Sequence, residues 1–176
     1  MGRAVLVIDM LNEFVYGRLG GERAQAVIPC IKRLVEHARA VGTPIIYVKD
    51  AHEEDDLELE VWGKHAMKGS EEAEIIPDLE PLPSEVVIEK STYFSFYDTG
   101  LDEILKDMDV DEVILTGLLT NICIKLAAAE AFVRQYSVVI PRGCVNTVSQ
   151  EEHERALKEI SDLYMAKIMD LEQVIG

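Results

Sequence analysis

Apolar residues come in two rhythms along this chain. Residues 4–8 (AVLVI) form an unbroken apolar run, the pattern of a strand covered on both faces. Residues 23–41 then carry Ala26, Ile28, Ile31, Leu34, Val35 and Ala38 at helical spacing, with Gly42 placed to close the helix. The alternation continues. Short apolar runs at 45–48, 86–88, 113–116, 138–140 and 166–169 predict strands, and 100–108, 120–135 and 151–163 predict helices. Six strands interleaved with helices imply an α/β fold: a three-layer α/β/α sandwich with a six-stranded, mostly parallel Rossmann-like sheet. Right-handed crossovers would bring every strand's C-terminal end to one edge, where open α/β sheets bind ligands. Residues 50–83 break the rhythm with charge, Gly63, Gly69, Pro77, Pro81 and Pro83. So long an irregular stretch is expected to be a functional loop.

The chain's 176 residues suffice for a single domain, 1–176, with a full core. No apolar run approaches the roughly 20 residues that a bilayer requires. The start reads as a first strand rather than a signal peptide, so a cytoplasmic location is expected. A net charge of −16 argues against nucleic acid or an anionic membrane as partner, because phosphates would be repelled. The acids crowd at Glu53, Glu54, Asp55, Asp56, Glu58 and Glu60, a run expected to be mostly solvated surface. Cys30, Cys123 and Cys144 are odd in number and widely spaced, which suggests neither a zinc finger nor a disulfide framework.

Three reactive groups fall on the predicted edge. Asp9 ends the first strand in VIDM, Lys90 follows the third in VIEK, and Cys123 follows the fourth in GLLTNIC. A thiol attacks as thiolate, and its pKa falls near a helix N-terminus or a cation. Lys90 and the helix after residue 120 would supply both. Asp9 could take the thiol proton and pass it to a leaving amine, while backbone N–H groups of the turn hold an oxyanion. Cys30, placed mid-helix, and Cys144, in a loop, lack such partners and read as structural.

Asp50 and His52 alternate past the second strand, and His65 returns from the long loop. One carboxylate and two imidazoles make a plausible set of ligands for Zn²⁺, Fe²⁺ or Mn²⁺, with Glu58 a possible fourth. On spacing alone they could equally be a solvated loop. His37 and His153 sit on predicted helices and look like surface residues.

At these positions the sequence resembles the isochorismatase-like cysteine hydrolases, and within them the nicotinamidase/pyrazinamidase branch. The likeness runs through VIDMLNEF (7–14), KDAH (49–52), WGKHAMKGSEEAE (62–74), EKSTYFSFYDTGL (89–101) and GLLTNICIKLAAAEAF (117–132). It implies that Asp9, Lys90 and Cys123 are the catalytic triad, and that Leu118–Leu119 is a cis peptide. Leu119 and Cys123 would give the oxyanion-hole N–H groups. It further implies that Asp50, His52 and His65 hold a divalent metal, zinc ahead of iron or manganese, with no organic cofactor. Phe14, Trp62 and Leu118 would bind substrate. The implied reaction is hydrolysis of a small amide through a cysteine thioester, with nicotinamide giving nicotinate and ammonia as in NAD salvage. The alternative is another amide, ureide or carbamoyl compound of the N-carbamoylsarcosine, ureidoacrylate or biuret kind. Members of the family are often homodimers or larger homo-oligomers. Two departures bear on substrate: Leu11 stands where nicotinamidases often carry Gln, and Ala66 replaces a Cys common after the third metal ligand.

Overall fold

The computed structural model describes residues 2–176. Its strands are β1 (Gly2–Ile8), β2 (Ile45–Asp50), β3 (Val86–Lys90), β4 (Val110–Leu118), β5 (Ser137–Pro141), β6 (Val145–Asn146) and β7 (Lys167–Met169). They form one sheet in the order β3-β2-β1-β4-β5-β7, with the short β6 added to the end of β4. Every pairing is parallel. The sandwich predicted from hydrophobic rhythm is therefore present, with seven strands instead of six. The added strand, two residues long, is too short to leave a periodic signal.

The helices are α1 (Asn12–Val15), α2 (Glu22–Gln25), α3 (Ile28–Val41), α4 (Glu58–Trp62), α5 (Leu101–Asp107), α6 (Lys125–Val133), α7 (Gln150–Tyr164) and α8 (Leu171–Ile175). Alternation along β1 explains the layers. Ala4, Leu6 and Ile8 point into one core with Leu101, Leu105, Ala127, Ala131, Leu157 and Ile160, so α5, α6 and α7 cover that face. Val5 and Val7 point the other way, against Ile31, Leu34, Val35, Ala38, Leu171 and Val174 of α3 and α8.

Four details differ from the pattern-based expectation. The helix expected over 23–41 is split, because Pro29 sits in the first turn of α3 and so marks a helix start. The helix expected from residue 120 opens with a π-helical turn, Thr120–Ile124, before α6. His153 is buried, not on the surface, with Nδ1 2.9 Å from the Thr120 hydroxyl. Finally, Cys30 and Cys144 form a disulfide across 114 residues. Only the fold brings α3 beside the loop after β5, and sequence spacing carries no trace of that. Such a link is rare in reducing compartments outside hyperthermophiles; it overturns the expectation of no disulfide and leaves both cysteines structural, as expected. Among the described residues, no helix is long and apolar enough to cross a membrane.

Gly117 marks the closest approach in the sheet. A Cβ there would stand 1.9 Å from the Ile8 carbonyl oxygen, and its φ of +111° is one that L side chains rarely adopt. Gly117→Ala is therefore expected to force β1 from β4 and cost about 2 kcal/mol or more. Denaturant unfolding would show this, and an unchanged midpoint would mean that the strands can part without penalty.

Candidate active site

Sheet register sets the site. Ile8 lies beside Val48 on one flank and Gly117 on the other, and Asp50 lies beside Lys90. Asp9, Asp50 and Lys90 thus end three neighbouring strands, and the turn carrying Cys123 follows the next one. Asp9 takes a left-handed φ of 54° as β1 ends, a conformation that Asp tolerates better than most residues. Its backbone N–H donates to the Val48 carbonyl at 2.9 Å.

The side chains converge. Lys90 Nζ lies 2.9 Å from Asp9 Oδ2, 2.5 Å from Asp50 Oδ1 and 3.9 Å from Cys123 Sγ, and it donates to the Thr92 carbonyl at 3.0 Å. Asp9 Oδ1 accepts the Asp50 N–H at 3.0 Å. Asp9 Oδ2, though close to the ammonium, completes no hydrogen bond and keeps its accepting capacity. Exposure is 2% for Asp9, 4% for Lys90 and 7% for Cys123.

Burial governs the charges. It pushes the Asp9 carboxyl up to about 6, helped by the negative charge of Asp50 and opposed by Lys90. Burial works against the Lys90 ammonium too, but the charges of Asp50 and Asp9 prevail and hold it above its ordinary range. For Cys123 burial prevails: the thiol is raised well above its usual value even though Lys90 pulls it down. Burial thus disfavours the expected resting thiolate: one shared ammonium does not repay desolvation of the sulfur, and the charges of Asp9 and Asp50 oppose ionisation further.

Above Cys123 lies a cavity of about 140 Å³ lined by Asp9, Phe14, Leu19, Asp50, Trp62, Tyr93, Leu118, Leu119, Ile122 and Val148. Leu118–Leu119 is a cis peptide, as the resemblance implied. Phe14, Trp62 and Leu118 line the cavity as expected. Tyr93, Leu19, Ile122 and Val148 were not singled out from sequence. The Trp62 indole donates to the Tyr93 hydroxyl at 2.8 Å, fixing the plane of this wall. An aromatic in STYF, three residues past Lys90, was the one available clue.

Beside the cavity, Asp50, His52, Glu58 and His65 offer ligand atoms all within 4.8 Å of one another, and all four residues are buried. Glu58 therefore joins the three residues expected. A short bridge between His52 and Met67 fixes the return of the loop, with the His52 N–H on the Ala66 carbonyl at 3.0 Å. The donor set suits a divalent cation for two reasons. His52 Nε2 is fully buried, faces Asp50 and Glu58 at 3.6 and 3.7 Å, and has no hydrogen-bond partner. In addition, buried Asp50 and Glu58 bring two carboxylates to the two imidazoles, and a divalent ion would take the place of the protons that otherwise balance them. Burial, reinforced by the Asp50 charge, raises Glu58 to about 7. His52 is pushed up to about 9, where hydrogen bonding and charge from Asp50 overcome burial. Both would exchange protons for a metal.

Asp56, read from sequence as solvated, holds the other nitrogen of His52: its Oδ2 lies 2.9 Å from Nδ1. That bond sets the tautomer that leaves Nε2 free toward the cluster.

The Isochorismatase domain matches residues 3–173, so the chain belongs to the isochorismatase family and is an isochorismatase-family hydrolase. Among its relatives, Nicotinamidase 3 of Arabidopsis thaliana is 30% identical over 165 residues, covering 90% of this chain and 80% of that protein. The crystal structure of N-carbamoylsarcosine amidase from Thermoplasma acidophilum superposes with a TM-score of 0.94 at 34% identity, covering 100% of both chains. Pyrazinamidase of Pyrococcus horikoshii, solved in complex with zinc, gives a TM-score of 0.88 at 25% identity, covering 97% of this chain and 99% of that one.

Asp56→Asn should weaken divalent-metal affinity about tenfold or more, because the substituted amide can present N–H to the ring and disturb the tautomer. Chelator competition measures this; unaltered affinity would remove His52 from the ligand set.

Proposed function

We propose that the protein hydrolyses a small amide through a thioester on Cys123, with nicotinamide the leading substrate. One observation carries this reading: thiol, carboxylate and ammonium meet at the floor of a small, mostly apolar cavity. About 140 Å³ is room for a compact amide and little more. The zinc-bound pyrazinamidase and the plant nicotinamidase among the relatives favour a pyridine-type amide with zinc in the Asp50–His52–Glu58–His65 cluster.

The steps follow from the charges. Asp9, its carboxyl raised toward neutrality by burial, accepts the Cys123 proton as the sulfur bonds to the amide carbon. Lys90, 3.9 Å from the sulfur, steadies the negative charge while it lasts. The N–H groups of Leu119 and Cys123, on the turn fixed by the cis peptide, receive the oxyanion. The carbon–nitrogen bond breaks, Asp9 returns its proton to the departing amine, and ammonia leaves an acyl-thioester. Water, losing a proton to Asp9, then attacks the thioester carbon; the acid is released and Cys123 regains its proton. Asp50, His52, Glu58 and His65 would hold zinc, which would supply a Lewis acid able to orient and polarise a bound substrate. Phe14 and Trp62 flank the ring.

Cys123→Ala is expected to lower kcat at least about a thousandfold, with the fold intact, as seen when nucleophiles are removed from comparable triads. Ammonia release from a panel of amides gives the readout, with nicotinamide expected to lead. A variant retaining wild-type turnover would leave the metal cluster as the catalyst and Cys123 a bystander. A slow substrate should add its acyl mass to the intact chain, which a water-activating metal enzyme would not show.

A further inference from the structure

A buried imidazole stands outside both the triad and the metal cluster. His153 lies in the first turn of α7 and is 5% exposed, on a face it shares with Ala156, Leu157 and Ile160. Its Nδ1 is 2.9 Å from the hydroxyl of Thr120, which is fully buried. A polar pair costs desolvation in such surroundings, and two apolar side chains of the same shape would pack there as well or better. Packing alone therefore does not account for it. Burial holds the imidazole below its ordinary range; Glu154 opposes this, and Arg142 and Arg23 add to it. The ring is thus uncharged at neutral pH, with one nitrogen able to accept a hydroxyl proton.

The place of Thr120 gives the pair its meaning. It opens the π-helical turn Thr120–Ile124, directly after Leu119 and three residues before Cys123. Such turns are rare and recur at functional sites. This one is braced from outside at two consecutive residues. His153 meets Thr120, and the Thr147 hydroxyl donates to Asn121 Oδ1 at 2.6 Å. The two braces differ in their mounting. Thr147 belongs to the loop before α7, whereas His153 sits on a capped helix end. The Ser149 side chain accepts the Glu152 N–H, and the His153 N–H donates to the Ser149 carbonyl at 3.1 Å. Cys123, on the same turn, lines the cavity and lies 3.9 Å from Lys90.

We propose that His153 is a positioning residue for the nucleophile. By holding Thr120 it fixes the turn, so that Cys123 Sγ stays beside Lys90 and aligned with the N–H groups of Leu119 and Cys123. It touches neither substrate nor reacting atoms; its effect passes through Thr120. The expected rates rest on the amidohydrolase reading, but the placement of the sulfur can be measured without turnover.

Cys123 is the one cysteine outside the disulfide, so its alkylation by iodoacetamide, itself a compact amide, reports that placement. His153→Leu keeps apolar bulk and removes the bond, and Thr120→Val removes it from the other side. On the metal-loaded protein each should lower kcat for nicotinamide about tenfold or more, with KM changed less than about threefold. Alkylation should slow about tenfold in step. His153→Asn, whose amide can take the place of Nδ1, should restore most of both rates. Combining His153→Leu with Thr120→Val should be no slower than the slower single variant, because both delete the same bond. Wild-type kcat and alkylation in His153→Leu and Thr120→Val would make the pair a structural staple and overturn the proposal, whatever the unfolding midpoint does. Losses confined to KM, or losses that multiply in the double variant, would overturn it as well. Should His153→Leu fail to fold, Thr120→Val and His153→Asn decide the matter by the same two rates. If wild type hydrolyses no amide, the amidohydrolase reading fails, and alkylation alone judges the role of His153.

Discussion

The site depends on a single buried ammonium. Lys90 ends β3 inside the protein, between two carboxylates that end β1 and β2. A charge in that position is tolerated only while its partners stay in place: removing one member of a buried ion pair typically costs about 3–5 kcal/mol. The register of three strands therefore decides the chemistry. Slipping β3 by one residue would turn the Lys90 side chain to the other face and leave Asp9 and Asp50 facing each other unscreened. Gly117 belongs to the same constraint, because only a residue without Cβ lets β4 come near enough to β1 for the Cys123 turn to reach this ammonium.

Asp50 ties the ion cluster to the metal cluster. Its Oδ1 takes the Lys90 ammonium at 2.5 Å while its Oδ2 lies 3.6 Å from His52 Nε2. Charge on one side is thereby felt on the other. Among the causes that shift Asp9, Asp50 ranks just after burial, and it also raises Glu58 and His52. A divalent ion drawing on Asp50 would weaken its push on Asp9, so metal occupancy and the proton affinity of the proposed base are linked through one carboxylate.

How much of this was legible in the sequence depended on scale. Buried parallel strands announce themselves as apolar runs, and an Asp, a Lys or a Cys just past such a run must fall on the carboxyl edge; hence Asp9, Lys90 and Cys123 are legible from the sequence alone. Contacts that depend on tertiary meeting were not legible. The Cys30–Cys144 disulfide and the burial of His153 against Thr120 join segments far apart in sequence, while the bond from Asp56 to His52 spans four residues of an irregular loop whose turn no periodic pattern marks. The burial that disfavours the expected thiolate is hidden from sequence for a related reason. A cation and a helix start are visible in sequence, but desolvation of the sulfur, the larger effect, depends on how completely neighbouring segments close over it.

The disulfide opens a segment that closes one side of the site. The disulfide anchors Cys144 to α3, and β6 follows at once, pairing Val145 and Asn146 with Gly117 and Leu118 at the site end of β4. Thr147 then donates from its hydroxyl to Asn121 Oδ1 at 2.6 Å, in the turn that carries Cys123, and Val148 closes the cavity wall. Asn146, Thr147 and Gln150 also hold Arg23. Within a few residues the chain thus braces the turn that carries Cys123 and holds Arg23 on its other side. A two-residue strand contributes little stability by itself; its pairing with the end of β4 leads the chain from the disulfide to the cavity wall. The covalent link just before it ties the segment to α3, so a stretch with almost no secondary structure is anchored at one end by a disulfide and at the other by α7 where it lines the cavity.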